Sequence, residues 1–380
     1  MAKAKYERNT RGVFATKAWD GTYNADGSKH RVNLTSSKSS KDLENKVNAL
    51  KKFIENGNYV KNTDILFTDY AKDWLKIKKS VREKNTKVMY QNIIDTHLSF
   101  LEGVKLCDIR NSHFQQAINN AQDKPRTCQQ IYLTFKQVLS MAVTDTLIGS
   151  GMYESIIRDI NLPKYVKSEK RALTKQEKQA IDKADFTEQE KAFIYIIYYC
   201  GLRRGEVLAL TKFDFNFDKC TVAINKALIF IKNNPEVKNI PKSSNGIRTI
   251  PVPKDAANFI EVYIDALKSP QLFTCANGSM ITKSSYMKMW QSIVKKMNVA
   301  VGGNRSFPII TDLTAHVFRH NYCTNLCYQI PNISIKKIAE LLGDTEKMVI
   351  EVYNHIINEK EDAASVVETA LCRQDTDIAL

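Results

Sequence analysis

The chain has 380 residues, which at roughly 100 to 200 residues per domain predicts two or three domains. With 43% hydrophobic residues and only 14 Gly and 9 Pro it is not collagenous, low-complexity or disordered, and its longest apolar run, Phe193 to Cys200, is too short to cross a bilayer. A net charge of +15 favours a polyanionic partner, with nucleic acid ahead of an anionic membrane surface.

The charge is densest at the N-terminus, where residues 1–63 alone carry +7. The run Gly12-Val13-Phe14-Ala15, then Thr22-Tyr23, an Asp26-Gly27 turn and Lys29 to Leu34 predict a hairpin. A helix follows from about Lys41, with Ser39 and Asp42 as a capping box and Leu43, Val47, Leu50 and Ile54 as its apolar stripe. This reads as a ββα module over 1–62, and such a small sheet suits either a simple cap or the delivery of basic side chains into a DNA groove. Residues 63–160 then read as an α-bundle of four or five helices, with Phe67, Tyr70, Trp74 and Ile77 in one stripe, then Met89 to Phe100, Phe114 to Ala121 and Cys128 to Val143.

Asn161-Leu162-Pro163-Lys164 and the charged run ending at Arg171 predict a linker over 161–171. Beyond it, Thr174 with Glu177 and Thr187 with Glu190 are capping boxes that start two helices. Strand-type periodicity appears at Thr221 to Ile224, near Ile229, and at Ile247 to Ile250 after an Asn245-Gly246 turn. The remainder is mostly helical and ends in a short stripe, Ala364, Val367 and Leu371, that predicts a tail helix over 361–372. The expected fold is mainly α with small β-sheets (α+β), the sheet of the last domain lying among helices. The start, MAKAKYERNTRG, has no apolar leader, and the eight cysteines form no CxxC pair, so a soluble intracellular chain with reduced thiols is expected.

Four segments carry chemistry: Gly201-Leu202-Arg203-Arg204-Gly205-Glu206, Pro241 to Arg248 with Lys242, His316-Val317-Phe318-Arg319-His320, and Leu342-Gly343-Asp344 followed by Tyr353-Asn354-His355. In type, order and spacing they resemble the tyrosine recombinase (integrase) family, in particular phage and conjugative-transposon integrases. The upstream layout is similar only in pattern. The resemblance implies an arm-binding module at 1–62, a core-binding domain at 63–160 and a catalytic domain at 172–380. It also implies a homotetramer on double-stranded DNA with core and arm sites, a Holliday-junction intermediate, and a tail that docks on the neighbouring protomer.

The residue chemistry fits that implication. A phosphodiester repels nucleophiles, and two arginine forks neutralise the charge that grows on its oxygens, which makes Arg203 and Arg319 the expected clamp. Taken singly, Arg203 or Arg204 reads as well as a helix-surface charge. Tyr353 is the expected nucleophile, its phenolate favoured by nearby guanidiniums, on a segment where Val349, Ile350 and Val352 pack while the phenol points away. Lys242, near the tip of a hairpin turned by Asn245-Gly246, is the expected general acid for the leaving 5′-oxygen, with Lys238 in reserve. His316 serves as phosphate donor and acid/base.

Glu206 is expected to be a buried partner that orients Arg203 or His316. At Asp344 the family usually has His or Trp, and an ionised carboxylate donates no hydrogen bond to phosphate. Asp344 is expected instead to orient a neighbour or cap the next helix, with His355 or His320 as the replacement donor. His316, His320, Cys323 and Cys327 also form a one-sided stripe, but four ligands spread along about 16 Å of helix cannot converge on one ion with bonds of about 2 Å. No metal or cofactor is therefore expected. The reading is a bacterial, DNA-associated recombinase acting through a covalent 3′-phosphotyrosine, with an excisionase or a host DNA-bending protein as candidate accessory partners and no membrane partner. The alternatives are a type IB topoisomerase-like relaxation enzyme and a non-catalytic DNA-binding regulator.

Overall fold

The computed structural model describes residues 4–23, 28–55, 64–166, 171–239 and 246–360. These form fourteen α-helices and seven strands in three small antiparallel sheets. The chain divides into two compact units, Met1–Lys167 and Ser168–Leu380. Asp26-Gly27, Lys242, Asn245 and the expected tail helix over 361–372 lie outside the described residues. No helix among the described residues is long and apolar enough to cross a membrane.

The first unit opens with a hairpin of β1 (Phe14–Tyr23) and β2 (Lys29–Ser36), in register with Phe14 opposite Ser36 and Trp19 opposite Arg31. Helix α1 (Ser40–Glu55) starts where Ser39 Oγ accepts the Asp42 N–H at 3.0 Å, and it buries Leu43 and Val47 as it packs on both strands. Five helices follow: α2 (Phe67–Lys78), α3 (Lys84–Asn92), α4 (Asn111–Asn119), α5 (Pro125–Thr144) and α6 (Ser150–Ile157). Their shared core stacks Phe67, Phe114 and Phe135, with ring centroids 5.0 and 4.3 Å apart. Pro125 opens α5 at a position whose N–H has no partner within the helix, so the missing donor costs nothing.

Two local expectations fail here. Ile77 is exposed although Phe67, Tyr70 and Trp74 are buried, because the buried stripe of α2 runs out in its last turn. The helix expected from Met89 to Phe100 is interrupted by a wider π-type turn over Ile93–His97, which turns both Ile93 and Ile94 into the core.

In the second unit, α7 (Lys175–Lys183) and α8 (Glu188–Cys200) begin at the two expected capping boxes. Thr174 accepts from the Glu177 N–H at 3.2 Å while Glu177 accepts from the Thr174 N–H at 2.8 Å, and Thr187 and Glu190 repeat the exchange. Helix α8 buries Phe193, Ile194, Ile196 and Ile197 and forms the centre of the main core. After α9 (Arg204–Leu208) come β3 (Phe215–Asn216), β4 (Thr221–Ile224), β5 (Lys226–Ile231), β6 (Asn234–Asn239) and β7 (Arg248–Pro251).

Among the described residues, the strands on either side of 240–245 do not pair with each other as expected. β5 and β6 close their own hairpin through Lys232-Asn233, with Lys232 at a φ of 57°, while β7 pairs with β4 in a sheet ordered β3-β4-β7. Period and turn chemistry locate strands but do not choose partners, and here Val222 and Ile250 pair opposite each other in the core. Helices α10 (Lys254–Asp265), α11 (Lys283–Ala300), α12 (Ala315–Cys327), α13 (Ile335–Leu342) and α14 (Glu346–Lys360) complete the unit. The last three enclose a smaller core of Cys323, Cys327, Ile338, Ala339, Leu342, Val349 and Ile356.

Gly201 ends α8 in the left-handed region at a φ of +61°, and a Cβ there would run into the ring of Tyr322 on α12. Gly201→Ala is therefore expected to cost about 1–2 kcal/mol in backbone strain and about 1–3 kcal/mol in overpacking. The variant should show a lower urea midpoint for the second unit, whereas an unchanged midpoint would mean that the ring yields freely.

Candidate active site

The site is built from the ends of helices. Gly201 reverses the chain after α8, Leu202 anchors it in the core, and Arg203 falls at the position just before α9. Glu206, one turn on, accepts the Arg203 backbone N–H at 2.9 Å through Oε2 and Arg203 Nη1 at 2.9 Å through Oε1. The tight turn thus fixes both ends of Arg203. Arg204, its neighbour, leaves the cluster and lies over the rings of Phe230 and Tyr286, 5.8 and 5.3 Å from their centroids.

Arg319, on α12, has a side chain only 3% exposed. Its Nη1 donates to Gly201 O at 3.0 Å and its Nη2 to Leu342 O at 2.7 Å, so one guanidinium joins the C-terminal ends of α8 and α13. Those ends carry the negative pole of each helix dipole, which favours a cation there. Burial, with Arg203 close by, lowers the Arg319 pKa to about 10, which leaves it charged at neutral pH.

Asp344 follows Gly343, which caps α13 in the left-handed region at a φ of +63°. Its Oδ2 accepts Arg203 Nη2 at 2.9 Å and Arg319 Nη2 at 3.0 Å, while Oδ1 accepts the Thr345 N–H at 3.0 Å ahead of α14. Two guanidinium forks therefore converge on one anionic oxygen. Burial pushes the Asp344 carboxyl up, but the Thr345 N–H and the two arginines outweigh it and hold the group below the usual carboxylate range. Asp344 thus contacts both arginines and the residue that precedes α14.

A cavity of about 200 Å³ opens beside the cluster, bordered by His316, Arg319, His320, Cys323, Asp344 and Met348. His316 is exposed in the first turn of α12, and its ring lies 5.5 Å from that of His320 in an edge-to-face arrangement. The stripe of four expected along α12 is divided by burial: Cys323 and Cys327 lie in the apolar core while His316 is exposed. Among the described residues no three His, Cys, Asp or Glu side chains are grouped to hold a metal ion.

Tyr353 departs from its expected orientation. It lies on α14 one turn after buried Val349 and one turn before buried Ile356, and it packs half-buried against the core of α12, α13 and α14. A spacing of four and three puts the phenol on the apolar stripe, whereas Ile350, expected to pack, is exposed. Tyr353 and His355 are not among the residues that border the cavity, whereas His320 is; His355 is exposed. Lys238 lies half-buried on β6 opposite Ala227.

A model of the phage integrase family matches residues 171–360, half of the chain. The chain belongs to the phage integrase family. It is 24% identical over 364 residues to a XerC-like tyrosine recombinase of Caldanaerobacter subterraneus, an alignment that covers 87% of this chain and 89% of the relative. It is 29% identical over 176 residues to an integrase of Staphylococcus phage L54a, covering 43% and 46% of the two chains. The Tn1549 transposon integrase, solved with circular-intermediate DNA, superposes with a TM-score of 0.63 at 18% identity and covers 76% of this chain and 95% of its own. A lambda integrase dimer bound to a core site gives 0.54 at 13% identity over 92% and 95%. Family and fold agree, and the mainly helical architecture with small antiparallel sheets is that of these integrases.

Sequence reasoning missed Arg248. Its side chain is 6% exposed and donates to Glu206 Oε2 at 2.7 Å, Glu206 Oε1 at 3.3 Å, Gly246 O at 3.0 Å and Leu341 O at 2.8 Å. One signal was available, an arginine between Ile247 and Ile250 in a short strand-type run after the Asn-Gly pair. Burial pushes Glu206 up, but the hydrogen bonds and charge of Arg248, with those of Arg203, outweigh it and keep the carboxyl below its ordinary value. A depressed native pKa gives stability that is complete above the unfolded value of about 4.3 and is lost as pH falls through the native value. Glu206→Gln should therefore destabilise the second unit by about 3–5 kcal/mol at pH 7, since it leaves buried Arg248 without its carboxylate. Urea unfolding across pH should show that gap closing below about pH 4, and a gap independent of pH would refute the ionic account.

Proposed function

We propose that the chain is a site-specific DNA recombinase that cuts and rejoins double-stranded DNA through a 3′-phosphotyrosine, integrating and excising a mobile element. The observation that carries the site assignment is the convergence of Arg203 and Arg319 on a single anionic oxygen at 2.9 and 3.0 Å. A scissile phosphate presents such an oxygen, and in the proposed reaction it takes the place of Asp344 Oδ2 between the forks. The Tyr353 oxygen forms the new bond to phosphorus, the bond from phosphorus to the 5′-oxygen breaks, and the DNA 3′ end is left on the protein. His316, at the mouth of the cavity, accepts the phenolic proton, and Lys242 supplies the proton that the leaving 5′-oxygen needs. Attack by the 5′-hydroxyl of a partner strand reverses each step and restores the phenol. Bond energy is conserved, so the exchange balances without nucleotide hydrolysis.

In this reading residues 172–380 hold the chemistry, the bundle at 63–160 grips the core site and the ββα module at 1–62 binds arm sites through its positive charge. The lambda integrase neighbour solved as a tetramer on a Holliday junction, with a TM-score of 0.56, supports a homotetramer as the working form. Soluble, DNA-associated action in a bacterial host fits the same reading. Asp344 links binding to catalysis: it holds the arginines aligned before DNA arrives, and it tethers the turn from which α14 carries Tyr353, nine residues on.

Tyr353→Phe removes only the hydroxyl, so the variant should bind DNA like the wild type and form no SDS-stable adduct with it; an adduct from that variant would sink the assignment. Asp344→Asn removes the competing charge. Its affinity for core DNA should rise several-fold and remain higher across a salt titration, since phosphate no longer displaces an anion. A loss of about 10²-fold or more in cleavage with unchanged affinity would instead make the carboxylate a participant in the chemistry.

A further inference from the structure

The structure assigns Arg248 a positioning role in strand cleavage, an inference that rests on the recombinase reading above. Arg248 is not among the residues that border the cavity beside the cluster. What it touches are the supports of Arg203 and of the turn that carries Asp344. Its Nη2 and Nη1 grip both oxygens of Glu206, at 2.7 and 3.3 Å, and that same carboxylate holds the Arg203 guanidinium at 2.9 Å. The plane of Glu206 is thus set from one side by Arg248, and it sets Arg203 on the other.

Two further bonds extend the same fork. Nη1 donates to the carbonyl of Gly246, two residues earlier in the chain, and so holds the turn that leads into β7. Nε donates to Leu341 O in the last turn of α13, two residues before Gly343, whose carbonyl accepts Arg203 Nη2 at 2.8 Å, and three before Asp344. A single planar group therefore fixes the start of α9, the turn at Gly246 and the end of α13 relative to one another. Charge balance alone would not require this geometry, since Glu206 already has Arg203. A lysine at 248 would offer a point charge with tetrahedral donors and could not span the two carboxylate oxygens and two carbonyls in one plane.

The test uses the full-length chain and a duplex carrying the site recovered by sequencing DNA that the wild type traps covalently. Arg248→Met, Arg248→Lys, Glu206→Gln and the Arg248→Met/Glu206→Gln pair are compared in DNA affinity and in single-turnover adduct formation, with circular dichroism as a check on folding. Arg248→Met should bind DNA within about threefold of wild type, because no phosphate contact is removed. Its adduct formation should be slower by about ten- to a hundredfold, the loss typical where the outer partner of a ligand is removed, with part of the rate restored in Arg248→Lys. If Arg248 acts through Glu206, the pair should be hardly slower than Glu206→Gln alone. A wild-type rate in Arg248→Met, losses that multiply in the pair, or a loss confined to DNA affinity would each overturn the assignment. Should Arg248→Met fail to fold, Arg248→Lys decides, and a wild-type rate in that variant overturns the role. A wild-type chain that traps no DNA would overturn the recombinase reading itself, and the positioning role with it.

Discussion

Arg203, Arg248 and Arg319 share two carboxylates, Glu206 and Asp344, in one network, and three of the five side chains are almost wholly withdrawn from water. Burying charge costs several kcal/mol per ion unless each group is paired and its hydrogen-bonding capacity is met. The network meets that demand in one arrangement, because every guanidinium spans at least two chain segments and no partner can leave without stranding another. The innermost ion pair, Arg248 with Glu206, is the fixed part. Arg203 and Asp344 are the members that face solvent, with side chains 39% and 29% exposed, and three cations against two anions leave the cluster with a surplus positive charge at its open side. An added anion completes the balance there.

The acceptors that complete the network are backbone carbonyls at helix ends: Gly201 after α8, and Leu341, Leu342 and Gly343 at the end of α13. The last carbonyls of a helix lack partners within it, so they are the groups most in need of donors. The left-handed glycines Gly201 and Gly343 make this geometry available, since each lets its helix stop sharply without a Cβ in the way. Helix packing and site geometry are therefore one problem here. The core around α8 and the smaller core of α12, α13 and α14 fix where the carbonyls stand, and the arginines read that placement.

Asp344 places an acceptor, not a donor, between the two arginines. A histidine or tryptophan at that position would offer a hydrogen bond to phosphate, whereas the carboxylate takes two hydrogen bonds from the arginines and a third from the Thr345 N–H just ahead of α14. The resting network is thereby more nearly neutral and better ordered. In the proposed reaction the phosphate takes the place of this carboxylate between the forks.

The sequence by itself determined the elements whose signals are local. The capping boxes at Thr174 and Thr187 and the first hairpin with its following helix depend on nearby residues, and they appear as read. It also determined the family, because four short segments in a fixed order are a one-dimensional property. What the tertiary structure decided are the pairings between distant residues. It chose Arg203 over the adjacent Arg204, since only one of them faces α13. It joined β7 to β4 across the β5 and β6 hairpin, where the turn chemistry of Asn245-Gly246 had pointed to a nearer partner. It turned Tyr353 onto the apolar stripe of α14, and it brought in Arg248, whose partners lie 42 and 93 residues away. A local pattern records the face a side chain can occupy, but which charge it meets there is settled only when the helix ends come together and desolvation forces every buried ion to find its partner.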